Sequence, residues 1–167
     1  MASKSSNIAV VVLAAGESKR MGQPKQLLPW KGSTLLTNCI NEVLKSNAND
    51  IYLILGANYD IIKKTHKSPK IKILHNTKWA LGLSQSIAFA TKHISSQPYH
   101  GILFLLADQP QVDFVYINRM LSHFNPDHKN ILATAYPNNI GIPVLFNCVF
   151  FQDLITNTTS NGARSIL

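Results

Sequence analysis

IAVVVLAAGESKRMGQPKQLLPWKG, residues 8–32, decides the reading of this chain. Ile8 to Leu13 is a continuous apolar run with three consecutive valines, the pattern of a strand buried on both faces of a parallel sheet. The run passes directly into Ala14-Ala15-Gly16, where small side chains let a ligand reach the backbone and its N–H donors. Two cations follow, Lys19 and Arg20, then Gly22 and the pair Pro24-Lys25. A buried strand that opens into a small-residue loop studded with cations is the outline of a phosphate site. The plain alternative is a strand-to-helix turn carrying solvated lysines. Two familiar phosphate loops do not fit. A P-loop needs Gly-Lys-Ser/Thr where Met21-Gly22 stands, and the dinucleotide fingerprint needs a second glycine where Ser18 stands.

Outward from this stretch, strand and helix patterns alternate. Thr34 is placed to cap a helix whose apolar positions Leu35, Leu36, Cys39, Ile40, Val43 and Leu44 recur at helical spacing. A second strand, Ile51 to Leu55, ends at Gly56, and a short basic helix covers about 59–66. Ile71 to Leu74 forms a third strand. Ser84 or Ser86 can cap a helix that runs to about Ile94 with Ile87, Ala90 and Ile94 inward. Ile102 to Leu106 is another fully apolar strand and leads into Asp108. Asp113 is placed to cap a helix burying Val115, Ile117, Met120, Leu121 and Phe124. Strands over Ile131–Ala135 and Ile142–Phe146 and a helix over Phe150–Ile155 complete the pattern. The order predicts an α/β fold: a three-layer, doubly wound, mostly parallel sheet with helices on both faces. Ligands of such sheets sit beyond the carboxyl ends of the strands, where Gly16, Gly56 and Asp108 all fall.

Composition bounds the rest. The 167 residues, 46% of them hydrophobic, suit one domain over residues 8–167, preceded by a polar tail at 1–7. No stretch approaches membrane-spanning length, and the apolar run after Lys4 lacks a signal-peptide cleavage site, so the expected location is cytoplasmic, with no membrane partner. Cys39 and Cys148 have no metal-ligand spacing, and Cys39 reads as a buried free thiol. A net charge of +8 points to anionic ligands without choosing one. The densest basic run, Lys63, Lys64, Lys67, Lys70 and Lys72, lacks interleaved aromatics or a nucleic-acid module and reads as a solvated face, so no nucleic-acid partner is expected. His75, His93, His100, His123 and His128 share no spacing and are expected at the surface.

The wording LAAG-x-S-x-RMG-x-PK-x-LLPW-x-G-x-TLL resembles the signature of MobA-like nucleotidyltransferases, most closely the molybdenum cofactor cytidylyltransferases. Later segments fit the resemblance too: Trp79, Gly82-Leu83-Ser84-Gln85-Ser86, Ala107-Asp108-Gln109-Pro110 and Gly141-Ile142-Pro143-Val144-Leu145-Phe146. It spans nearly the whole chain and implies transfer of CMP from CTP to the phosphate of molybdopterin, with Mg²⁺ and release of pyrophosphate. An acceptor phosphate is already an anionic nucleophile, so the reaction needs alignment and charge neutralisation rather than a general base. Arg20 suits the triphosphate tail through its planar fork. Lys25 suits the α-phosphate as a mobile point charge, and Asp108 is the best Mg²⁺ ligand in the sequence. The resemblance implies the same three roles. It also places Leu13, Ala14, Ala15, Gly16, Ser18, Gly22, Gly82, Ser84 and Ser86 around the nucleotide, with the two serines facing the base or capping the helix. Trp79 either lines the acceptor pocket or simply packs, and Gly141-Ile142-Pro143 belongs to the acceptor side or to a tight turn. The loop wording Leu-Ala-Ala-Gly favours cytidylyl over guanylyl members.

Two departures stand out. The family's Gly-Asp pair before Gly-Ala-Arg is replaced by Thr159-Ser160-Asn161 before Gly162-Ala163-Arg164, and the chain stops at Ile166-Leu167 without capping residues. Compared with its family the chain reads as shortened at the C-terminus, which implies nucleotide binding with poor turnover and self-association through an uncovered edge. The other expectations are a guanylyl- or sugar-phosphate nucleotidyltransferase, or a nucleotide-binding or cofactor-delivery module.

Overall fold

A computed structural model describes residues 6–18, 22–159 and 162–167. In chain order the elements are β1 (Ile8–Ala14), β2 (Pro29–Trp30), β3 (Ser33–Thr34), α1 (Leu35–Lys45), β4 (Asp50–Leu55), α2 (Tyr59–Thr65), β5 (Ile71–His75), α3 (Leu83–Ile94), β6 (Gly101–Leu106), α4 (Phe114–His123), β7 (Ile131–Tyr136), β8 (Asn139–Asn147) and α5 (Phe151–Thr156). Strands β5-β4-β1-β6-β8-β7 form a six-stranded sheet in that order. The first four strands are mutually parallel, while β8 runs antiparallel between β6 and β7. The small β2–β3 ribbon stands apart.

β1 is central, and every one of its residues is buried. Val10 and Val12 point into one apolar layer with Leu36, Ile40 and Val43 of α1, Ile62 of α2 and Ile117 of α4. Ala9, Val11 and Leu13 point into the other, with Ile87, Ala90 and Ile94 of α3 and Leu154 of α5. Alternation along one strand thus feeds two cores, which is why the run has no polar positions. Each fully buried valine contributes about 1.5–3 kcal/mol relative to exposure. The expected three-layer architecture is the one observed.

Two helix starts follow the expected capping chemistry. The Thr34 hydroxyl accepts from the Thr37 N–H at 3.1 Å, and the Asp113 carboxylate accepts from the Tyr116 N–H at 2.8 Å. The start of α3 corrects the sequence reading. Its N-cap is Gly82, at φ 99° and ψ −176°, so Ser84 and Ser86 lie inside the first turn and neither caps it. That backbone region is nearly closed to residues with a Cβ. On α4, Val115 is half exposed rather than inward, while Ile117, Met120 and Phe124 are buried. β8 begins three residues before the expected Ile142, because it turns directly from β7 as a hairpin.

The basic run is solvent-facing as expected, with Lys72 paired to Asp50 at 2.8 Å. Among the five histidines expected outside, only His100 is partly buried, its Nδ1 accepting from the Asn7 N–H. The sixth, His66, is buried at the end of α2. Cys39 is buried and Cys148 exposed, both as free thiols. Among the described residues no helix is long and apolar enough to cross a membrane.

Candidate nucleotide site

Because β1, β4 and β6 are parallel, Ala14, Leu55 and Leu106 bring their carboxyl ends to one edge. A cleft of about 220 Å³ opens there, floored by the loop after β1 and bounded by Trp79, the start of α3 and Asp108. The loop is held from beneath. Ala15 O accepts from the Ala57 N–H at 3.1 Å, and Leu13 O from the Ala107 N–H at 3.2 Å. The second bond extends the β1–β6 ladder by one rung and fixes Asp108 at the rim.

Glycine matters here in two opposite ways. A Cβ on Gly56 would lie 2.5 Å from Ala15 O and 2.5 Å from Trp79 Cβ, so this glycine lets the loop and the tryptophan close on β4 together. A Cβ on Gly16 would meet no protein atom within 4 Å. Protein packing does not require the missing side chain at Gly16, which keeps the cleft open instead.

The sequence stretch that carries Lys25 folds back over the loop. Lys25–Leu27 is a single 3₁₀ turn, and the Lys25 N–H donates to Ser18 Oγ at 3.0 Å. From there Lys25 Nζ reaches Asp108 Oδ2 at 2.6 Å, with side chains 49% and 27% exposed. Beneath the pair, Cys39 is an inert thiol. Burial first, then the charges of Asp108 and Glu42, push its pKa up to about 12.

Of the residues expected around the nucleotide, Leu13, Ala14, Ala15, Gly16, Ser18, Gly82 and Ser86 line this one cleft with Lys25 and Asp108. Ser86 is buried, and its Oγ accepts from Asn76 Nδ2 at 3.1 Å. Ser84 does not join them. It lines a neighbouring cavity of about 560 Å³ together with Gln109, Tyr136, Ile142 and Arg164. Gly22 lies outside the cleft lining and serves its turn at φ 67°. Arg20 and Lys19 lie outside the described residues.

A third cavity, about 600 Å³, shares Lys25, Leu106 and Asp108 with the first; its polar wall includes Gln109, Tyr116, Thr134 and Tyr136, and Val112 and Pro143 add apolar surface. Its wall is braced by neutral groups: Gln109 Nε2 donates to Tyr136 OH and to Ile142 O, both at 3.0 Å, and Tyr136 OH donates to Ile142 O at 2.6 Å. The Lys25–Asp108 pair therefore stands between a small-residue cleft and a larger cavity that mixes amides and hydroxyls with apolar side chains. Sequence reasoning missed Gln26, Asn76, Tyr116 and Tyr136: Gln26 stands at the unassigned position of PK-x-LLPW, and the other three lie outside every charged or glycine-rich motif.

Asp108 lines two of these three cavities and is the one described acid found in any of them. No group of three or more His, Cys, Asp or Glu that could hold a metal occurs among the described residues. Asp113 is engaged as a helix cap. A hard cation would therefore rest on one carboxylate, with substrate oxygens and water completing its shell, which is within the habits of Mg²⁺.

Comparison with known proteins bears on the family and the fold. Over 127 aligned residues the chain is 30% identical to nicotine blue oxidoreductase of Paenarthrobacter nicotinovorans, covering 75% of this chain and 60% of that protein's length. It is 26% identical to purine catabolism protein PucB of Bacillus subtilis, covering 94% of this chain and 78% of the relative. The crystal structure of Rv0371c from Mycobacterium tuberculosis superposes with a TM-score of 0.84 at 26% identity, covering 98% of this chain and 82% of that one. Its manganese complex superposes at 0.80, with 25% identity and coverage of 96% and 82%. The MobA-like NTP transferase domain matches residues 10–167, and the chain belongs to that family of nucleotidyltransferases.

Proposed function

We propose that this chain transfers CMP from CTP to the phosphate of a molybdopterin-type acceptor, releasing pyrophosphate. The observation that carries the reading is the Lys25–Asp108 pair at 2.6 Å, set where the small-residue cleft meets the larger cavity. The triphosphate occupies the first and the acceptor the second, so that both reach Lys25.

An acceptor phosphate oxygen attacks the α-phosphorus and forms a new P–O bond. The bond from that phosphorus to the bridging oxygen breaks, and pyrophosphate leaves with the electron pair. The nucleophile carries its charge already, so no proton has to be removed. Lys25 turns from Asp108 to the α-phosphate and neutralises charge there, while Ser18 keeps its backbone in place. Arg20 holds the outer phosphates. The Asp108 carboxylate, partly exposed and made of hard oxygen donors, fits a divalent ion. Mg²⁺ when bound supplies charge neutralisation on the triphosphate oxygens. The manganese complex of Rv0371c supports a divalent ion at a fold of this kind. The choice of CTP rests on the Leu13-Ala14-Ala15-Gly16 wording.

The test is a thermal-shift panel of the four triphosphates with and without Mg²⁺, followed by pyrophosphate release with acceptor present. CTP with Mg²⁺ is expected to raise Tm most, because binding to the folded state alone stabilises it. A preference for GTP, or equal shifts throughout, overturns the cytidylyl assignment. Binding without pyrophosphate release under any acceptor leaves a nucleotide-binding module instead of an enzyme.

A further inference from the structure

Gln26 is the buried residue of the 3₁₀ turn that presents Lys25, with only 5% of its surface exposed. A primary amide has two N–H bonds, and here one reaches back to the last residue of β1 and the other to the loop after it. Nε2 donates to Ala14 O at 2.8 Å and to Gly16 O at 2.9 Å. Since both partners are carbonyl oxygens, the amide has only one workable orientation. Its Oε1 is buried without a hydrogen-bond partner among the described residues, a cost the site carries to keep both donors on these carbonyls.

Together with the Ala57 N–H on Ala15 O, this gives three successive carbonyls, at the end of β1 and the start of its loop, held by protein donors. In a planar trans peptide the C=O and the following N–H point in opposite directions. Tying the oxygens of residues 14, 15 and 16 to the protein therefore sends the peptide N–H ends the other way, and keeps three carbonyl dipoles from facing an anion. The same side chain anchors the turn, so the loop and Lys25 are positioned as one unit.

We propose that Gln26 is a positioning residue for the triphosphate, setting the polarity of the loop after β1 and its spacing from Lys25. The inference rests on the reading of this cleft as a triphosphate site. Without Gln26, Ala14 O and Gly16 O lose their donors, and the Gly16 peptide, which lies beyond the β1–β4 ladder, is free to turn its carbonyl toward the cleft. A residue that served folding alone would lower Tm when replaced but leave the affinity of the folded protein intact.

The experiment compares wild type with Gln26→Met, similar in length but without donors, and Gln26→Asn, whose shorter amide cannot span both carbonyls. Tm is measured without ligand, and Mn²⁺-CTP affinity is followed by tryptophan fluorescence, Trp79 lining the cleft, at a temperature well below each Tm. Folded Gln26→Met is expected to bind CTP about tenfold more weakly, with Gln26→Asn between it and wild type. Wild-type affinity in folded Gln26→Met overturns the proposal. If that variant does not fold, Gln26→Asn decides, and unchanged affinity there overturns it equally. If wild type itself binds no triphosphate, the reading of the cleft fails first and the role of Gln26 falls with it.

Discussion

Lys25 and Asp108 neutralise each other at 2.6 Å, so neither is idle before substrate arrives. A cation approaching Asp108 has to displace an ammonium already there. With side chains 49% and 27% exposed, solvent screens the pair, and its strength falls to about 0.2–1 kcal/mol. Lys25→Met is therefore expected to bind Mn²⁺ without nucleotide up to about fivefold more tightly than wild type. The same variant is expected to bind CTP more weakly. Electron paramagnetic resonance of free Mn²⁺ measures the first effect, and equal or weaker metal binding by the variant would show that the two do not compete. Both residues were legible in the sequence, because a lysine after Gly-x-Pro and an aspartate closing an apolar strand belong to recognisable patterns. Gln26 was not: a glutamine in a turn carries no mark of burial, and its partners lie ten and twelve residues away.

At the scale of elements, His66 joins two helices. It follows the last turn of α2, and its Nε2 meets the Thr37 hydroxyl of α1 at 3.0 Å while Nδ1 meets Thr65 Oγ1 at 2.8 Å. Burial holds its pKa below the ordinary value of 6.5, opposed by the Ile62 carbonyl. Lys63, Lys64 and Lys67 surround it and Asp60 is the nearby acid along the same surface hollow. The folded state thus takes up this proton at lower pH than the unfolded state does. Stability is full above about pH 6.5 and declines as pH falls below it, by at most about 1.4 kcal/mol per pH unit, until the folded state protonates too. Tm should drop between pH 7 and pH 5, and His66→Gln should flatten that drop; an unchanged slope in the variant would place the proton elsewhere. Helices α1 and α4 were readable because Thr34 and Asp113 are capping residues followed by apolar spacing. The start of α3 was misread for a physical reason. Ser84 and Ser86 look like caps, whereas the true cap depends on the φ of Gly82, which no letter spells out.

Across the whole molecule the +8 charge is not spread evenly over function. Lys63, Lys64 and Lys67 are exposed along α2 and its exit and line none of the three cavities at this edge of the sheet. At physiological salt, charges beyond about 8 Å are largely screened. Changing all three to Gln is therefore expected to alter CTP affinity by less than about twofold at 150 mM salt, measured by the same fluorescence titration. A loss as large as that of Lys25→Met would make the patch part of the site. One last consequence follows from the place of β1 in the sheet. Its Ala9 lies opposite Asp50 on one side and Ile102 on the other. During synthesis at about 5–20 residues per second, the first strand leaves the ribosome with one flank waiting several seconds for its neighbour. The loop that opens the sequence is thus among the last parts to be finished, and a nascent chain halted before β6 would carry the whole nucleotide motif without a pocket to put it in.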